Sequence, residues 1–68
     1  MTIEITVNGK TKTLVAELSL ADLLQDLGMT KGRIAVELNG YIVPRSQFSS
    51  KTISNLDNIE IVQAIGGG

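Results

Sequence analysis

The chain opens on a strict alternation. Ile3, Ile5 and Val7 fall on one side of an extended backbone, with Thr2, Glu4 and Thr6 on the other. This is the period-2 pattern of a half-buried strand. Asn8-Gly9 follows, and because both residues tolerate positive φ the pair predicts a tight hairpin turn. The return strand runs over residues 11–15, with Leu14 inward. The period then changes: Leu20, Leu23, Leu24 and Leu27 recur at i, i+3, i+4 and i+7, which places one leucine stripe on a helix over residues 19–27. Ser19 suits the N-cap, Asp22 meets the positive end of the helix dipole, and Gly28 is placed to end the helix in a left-handed conformation. A helix of about two turns does not persist alone, so the leucine face must dock on a sheet.

Alternation resumes over residues 33–38, with Ile34, Val36 and Leu38 on one face and Ala35 and Glu37 on the other. Asn39-Gly40 makes a second tight turn and Ile42-Val43 begins a short return strand. Pro44, which cannot donate to a ladder, ends that strand or puts it at a sheet edge. Residues 45–58 are polar and turn-rich, with Phe48, Ile53 and Leu56 expected as anchors into the core. A last strand over residues 59–64 leads into Ile65-Gly66-Gly67-Gly68. If Ile59 and Ile61 face the helix, Val62 and Ala64 lie on the opposite face beside Ala35. Such an apolar strip on an uncovered face is a candidate docking surface, although single apolar surface residues are also ordinary.

A hairpin, a helix and then further strands make an α+β roll: a mixed four- or five-stranded sheet with one helix packed on one face. The order is compatible with the β-grasp (ubiquitin-like) architecture. The domain is expected over residues 1–65, with residues 66–68 a flexible glycine tail.

Composition narrows what such a roll can do. Sixty-eight residues make one domain. Hydrophobic residues are 43% of the chain, enough to fold, and the only aromatics are Tyr41 and Phe48, so the core must be aliphatic. The formal net charge is −1 with no basic cluster, which argues against nucleic acid as a partner. No apolar run approaches the ~20 residues that span a bilayer. The Met-Thr-Ile-Glu start lacks the charged and apolar regions of a signal peptide, so neither membrane attachment nor export is expected and the predicted location is cytoplasmic.

Absent residue types matter as much. There is no Cys, hence no thiol or disulfide chemistry, and no His, the usual proton shuttle at neutral pH and the commonest metal ligand. Asp22 and Asp26 lie four apart on the polar side of the helix and read as a solvated like-charge pair, not a general acid–base site. Gly9-Lys10-Thr11 is like the end of a phosphate-binding loop, but Glu4 stands where the upstream glycine is required and a strand follows, so it reads as a hairpin. Lys31, Arg33, Arg45 and Lys51 are scattered surface charges, available to steer an acidic partner. Nothing here serves as nucleophile, base or metal site. The chain is expected to be no enzyme and to bind no cofactor or metal.

The glycine run is the feature left to explain. Glycines carry the highest ordering cost of any residue and pack nothing. Three of them reach about 10 Å and, without Cβ atoms, can thread a narrow channel and lie flat against a nucleotide. They read as a delivery arm that carries the terminal carboxylate into another protein's active site; the plain alternative is a frayed end. An α-carboxyl, with a pKa of about 3.3–3.7, is an anion at neutral pH and a poor electrophile. It needs activation, for example as an acyl-adenylate, and with no phosphate-binding loop in this chain the ATP must be consumed by a partner.

The ordered set Ile5-Thr6-Val7-Asn8-Gly9, Leu23-Leu24 before Gly28, Val36-Glu37-Leu38-Asn39-Gly40, Ile42-Val43-Pro44-Arg45, Phe48, Asp57-Asn58-Ile59-Glu60-Ile61-Val62 and the glycine end resembles the small sulfur carriers of thiamine biosynthesis, ubiquitin-like β-grasp proteins. One departure is visible: Leu56 precedes Asp57 where such carriers often have glycine. The resemblance implies that a ubiquitin-activating-like adenylyltransferase adenylates the carboxylate of Gly68 and a persulfide sulfur donor converts it to a thiocarboxylate. Thiazole synthase would then take the sulfur for the thiazole of thiamine. It further implies that Gly66 and Gly67 thread the partner's channel, that Ile65 and Val62 make the adjacent partner contact, and that the free carrier is a monomer. Alternatives of similar chemistry are the molybdopterin synthase small subunit, other thiocarboxylate carriers and a ubiquitin-like protein modifier; a plain interaction module with an idle tail is of another class. Relatives of the molybdopterin subunit tend to be longer and carry a Phe-Ala…Leu-Arg-Glu segment where this chain has Asn8-Gly9-Lys10.

Overall fold

The N-terminal alternation becomes a hairpin in the computed structural model, which describes residues 2–64. Strand β1 (Ile3–Val7) pairs antiparallel with β2 (Lys10–Leu14), from Ile3 opposite Leu14 to Val7 opposite Lys10. The turn residues Asn8 and Gly9 both have positive φ, 50° and 82°, as a twist-matched two-residue turn requires. The return strand stops one residue short of the expected end: Leu14 is buried, whereas Val15 is 85% exposed.

A two-residue strand, β3 (Leu18–Ser19), leads directly into helix α1 (Leu20–Asp26). The Ser19 hydroxyl accepts from the Asp22 amide at 3.0 Å, the expected N-cap. Two further amides of the first turn find partners in a distant loop: Leu20 N–H donates to Lys51 O at 2.7 Å and Ala21 N–H to Phe48 O at 2.9 Å. Leu20, Leu23 and Leu24 are buried, and Leu27 packs half-buried beside them. Gly28 takes the left-handed conformation, φ 74°, and Met29 N–H returns to Leu24 O at 2.9 Å, closing the helix as expected.

Strands β4 (Arg33–Leu38) and β5 (Tyr41–Val43) form the second hairpin about Asn39 and Gly40. A 3₁₀ turn over Arg45–Gln47, two-residue β6 (Thr52–Ile53) and β7 (Asn58–Ala64) complete the described residues. The main sheet has the order β2-β1-β7-β4-β5. β7 lies in the middle, parallel to β1 and antiparallel to β4, so the five-stranded sheet is mixed, as expected. β5 is an edge strand, as Pro44 implied. β3 and β6 pair as a small second sheet. Each is too short to show an alternation, which is why the sequence reading missed them.

The sheet's inner face and α1 enclose an aliphatic core in which Ile5, Leu20, Leu23, Val36, Ile53 and Ile59 are almost wholly buried, with Phe48 beside them. Among the described residues no polar or charged side chain is buried, and no helix is long and apolar enough to cross a membrane.

Leu56 corrects the expectation. It is 76% exposed and adopts φ 70°, so it is no core anchor. Polar bonds hold its turn instead. Leu56 N–H donates to Glu4 O at 2.6 Å, Glu4 N–H to Asn55 Oδ1 at 2.8 Å, and the Asp57 carboxylate accepts from Ser54 N–H and Asn39 Nδ2. The turn keeps the left-handed geometry that a glycine would supply and points the leucine to solvent. For Leu56→Gly, relief of a left-handed cost of about 1–2 kcal/mol is partly offset by roughly 0.5–1 kcal/mol of glycine backbone entropy. The variant is expected to melt at or slightly above the parent temperature; a clear drop would show that the leucine packs.

Asn8 does more than turn the hairpin. Its Oδ1 accepts from Ile61 N–H at 2.7 Å and its Nδ2 donates to Ile61 O at 3.2 Å, so the side chain continues the β1–β7 ladder as a peptide group would. Asn8→Gly keeps the backbone geometry and loses both bonds. At about 0.5–1.5 kcal/mol per bond, chemical denaturation is expected to report a loss of about 1–3 kcal/mol.

Candidate functional site: the open sheet face and the end of β7

Directly paired residues share a face, so the register defines the surface that α1 leaves uncovered. Three rows matter. Ile42 lies opposite Glu37, and Glu37 opposite Glu60; the next row pairs Ala35 with Val62, and the last pairs Arg33 with Ala64. Val62 is 67% exposed and Ile42 76%, and Ala35 and Ala64 are exposed as well. The expected strip of Val62, Ala64 and Ala35 is therefore present, and Ile61 and Ile59 are buried on the other side.

Ile42 joins the strip only through the β4–β5 register, which sequence reading could not supply. The glutamates beside it were missed for the same reason. Two carboxylates directly opposite one another on neighbouring strands are unfavourable. Among the described residues the ion pair is Lys12–Asp26 at 3.7 Å, on the helix side, and neither Glu37 nor Glu60 forms one. The open face thus presents a small apolar centre beside two uncompensated negative charges.

β7 delivers the chain to the end of this face. Val62 stands on it two residues before the strand's last residue, Ala64. Of the residues assigned to tail and partner contact, Ile65, Gly66, Gly67 and Gly68 lie outside the described residues; Val62 lies within them, exposed on the open face. Gln63, on the inner side, donates from Nε2 to Lys31 O at 2.9 Å, tying the end of β7 to the loop that enters β4.

Elsewhere the surface offers little chemistry. A concavity of about 420 Å³ between β2 and α1 is lined by Lys12, Leu14, Val15, Glu17, Asp22 and Asp26, among others, and its charged groups are the exposed Lys12–Asp26 ion pair and two further carboxylates. Among the described residues no group of three His, Cys, Asp or Glu could hold a metal ion. What the arrangement supports is contact: an exposed face and, at its centre, the strand that leads to the glycines.

The model of the ThiS family matches residues 5–68, nearly the whole chain and the glycine run with it. The fold is similar to the crystal structure of thiamine biosynthesis protein ThiS from Geobacter metallireducens, with a TM-score of 0.82, 33% identity and coverage of 97% of this chain and 100% of that one. A thiazole synthase of Paramagnetospirillum magneticum is 35% identical over 65 residues, which are 96% of this chain and 20% of that protein; the chain thus spans a fifth of that relative's length. An uncharacterized protein of Porphyra purpurea, ycf40, is 38% identical over 66 residues, covering 97% of this chain and 93% of its own. With this match to the family model, the mixed sheet with its single helix and the likeness to solved ThiS structures, the chain belongs to the ThiS family.

Proposed function

We propose that the chain is a sulfur carrier of thiamine biosynthesis that works through its C-terminal carboxylate. The observation that carries this reading is the family match extending through residue 68, glycines included, in a chain with no cysteine to hold sulfur elsewhere. In the proposed sequence the Gly68 carboxylate attacks the α-phosphorus of ATP on a ubiquitin-activating-like adenylyltransferase and expels pyrophosphate. The outer sulfur of a persulfide then attacks the acyl carbon and expels AMP. Cleavage of the resulting S–S bond by a donor thiol leaves a thiocarboxylate on Gly68 and a disulfide on the donor. The carrier supplies no acid, base or metal and is not itself an enzyme; ATP is the partner's substrate. Gly66 and Gly67 thread the partner's channel, and Ile65 and Val62 contact its mouth.

Thiazole synthase is the proposed acceptor. A relative of nearly this whole chain lies within a protein of that name in Paramagnetospirillum magneticum, which supports a working association between the two.

The test is intact-protein mass spectrometry after incubation with ATP, a sulfur source and the cognate adenylyltransferase. The expected result is a mass gain equal to replacement of one oxygen by sulfur, located at Gly68. An unchanged mass, with an adenylyltransferase active on another carrier, would overturn the reading; high-mass conjugates in cell lysate would favour a protein modifier.

Docking is proposed through the open face, centred on Val62 with Ala35 and Ile42. A buried charge without a partner at such a contact is costly, so Val62→Asp is expected to raise KM for adenylation by about tenfold or more, with a modest drop in melting temperature because the new carboxylate joins Glu37 and Glu60 on one face. An unchanged KM would remove Val62 from the contact.

A further inference from the structure

The free edge of β2 leaves backbone groups unused. β2 ends the main sheet on one side and β5 on the other. An antiparallel pair such as β1 and β2 alternates bonded and non-bonded residue pairs. Glu4 and Thr6 turn their backbone groups away from β2: Glu4 N–H donates to Asn55 Oδ1 at 2.8 Å and Thr6 N–H to Asp57 O at 2.9 Å. Thr13 and Thr11, which stand opposite them, therefore turn N–H and C=O outward. Among the described residues these groups have no partner. The other edge is blunted, since β5 has three residues and Pro44, which has no N–H, follows it. β2 has five residues.

A groove lies beside this edge. The concavity of about 420 Å³ between β2 and α1 runs along Lys12, Leu14 and Val15, and Val15 is an 85% exposed apolar side chain that an added strand would cover. Lys12 is the one cation lining it, against the carboxylates of Glu17, Asp22 and Asp26, and it is already drawn to Asp26 at 3.7 Å. Glu17 and Asp22 have no ion-pair partner among the described residues, so the groove is net negative. We propose that β2 and this groove form a second docking surface, which takes an extended segment of a partner protein as an added strand. Backbone bonds to Thr11 and Thr13 hold the segment. On its side facing α1 it carries an apolar residue beside Leu14 and, two residues further on, a lysine or arginine that meets Glu17 and Asp22. A second copy of this chain fits poorly: the register that bonds Thr11 of each copy to Thr13 of the other sets Lys12 against Lys12. β1 separates this edge from β7, and the groove lies on the helix side of the sheet, opposite the face of Val62. The proposal therefore stands apart from the carrier reading, and the two surfaces are free to be occupied together.

The test titrates the full chain, isotope-labelled for NMR, with the peptide acetyl-Thr-Thr-Thr-Val-Thr-Lys-amide and with its reverse sequence, because an added strand can run either way along β2. One of the two is expected to bind with a Kd of about 1 mM or lower. It is expected to shift the amide resonances of residues 10–18, 22 and 26 and to leave those of Ala35, Ile42 and Val62 in place. At saturation, amide exchange at Thr11 and Thr13 is expected to slow about tenfold. Replacing the peptide's lysine by glutamate is expected to weaken binding about threefold or more, as is Glu17→Lys in the chain. Thr13→Pro removes an outward N–H and no bond to β1, so the folded variant is expected not to bind; if it fails to fold, the exchange rates and the glutamate peptide carry the test. No saturation by either peptide at about 5 mM, equal binding of the lysine and glutamate peptides, or shifts centred on the open face overturns the proposal. Dimerisation of the chain alone, with Thr11 and Thr13 protected in the dimer, assigns the edge to a second copy and overturns the partner assignment.

Discussion

Replacing Gly67 with leucine is expected to abolish thiocarboxylate formation while leaving the melting temperature of the domain unchanged. The proposed chemistry requires residues 66–68 to pass through a channel in the activating partner with the carboxylate leading. A channel that admits a backbone without Cβ atoms has no room for a four-carbon side chain, and misplacement of the carboxyl by an ångström already costs about 10²-fold. The fold is insulated from the change because the buried set, among the described residues, runs from Ile3 to Ile61. Mass spectrometry after the activation reaction and a thermal melt of the same sample check both halves. If the variant unfolds, the tail contributes to the fold and its reading as a delivery arm is wrong. If it folds and gains sulfur normally, the channel account is wrong.

The largest expected effect on stability is that of Leu24→Ala, at about 2–5 kcal/mol. Leu24 is 4% exposed, in the stripe that α1 turns toward the sheet. No buried polar network shares the load, since among the described residues the core is wholly apolar. At roughly 0.05–0.15 kcal/mol per residue, a chain of this length has a total stability of about 3–10 kcal/mol. The variant therefore loses a large part of it, and a domain of this size shifts by about 4–8 °C per kcal/mol. Differential scanning calorimetry is expected to show a drop of about 8 °C or more, or no cooperative transition at all. A melt that barely moves would mean that the helix does not dock through this leucine.

The contrast between Leu24 and Leu56 shows where the sequence was legible. Both are leucines in a chain whose core is aliphatic. Leu24 belongs to a periodic stripe of four, and period identifies a buried helix face without knowledge of the partner surface. Leu56 stands alone in a polar run, where the fate of one apolar residue depends on the turn conformation. That conformation is set by Asp57, Ser54, Asn39 and Glu4, residues distant in sequence or bonded through side chains. The tail is the opposite case: its composition alone motivates the delivery-arm reading, and the family match extends across it.

Local chemistry determined the elements. Asn-Gly pairs made both hairpin turns, Ser19 and Gly28 bounded the helix, alternation marked β1 and β4, and the lack of Cys and His pointed away from side-chain catalysis toward the chain end. These are effects of neighbours within a few residues, so they are written in the sequence. Only the tertiary structure decided the strand order, because pairing β1 with β7 joins residues more than fifty positions apart. That order brings Ile42, Ala35 and Val62 onto one face, sets Glu37 against Glu60, uses the Asn8 amide to extend the ladder to Ile61, and presses Gly32 against the carbonyl of Ala64. Each depends on which backbones are packed side by side, a property that no local pattern contains.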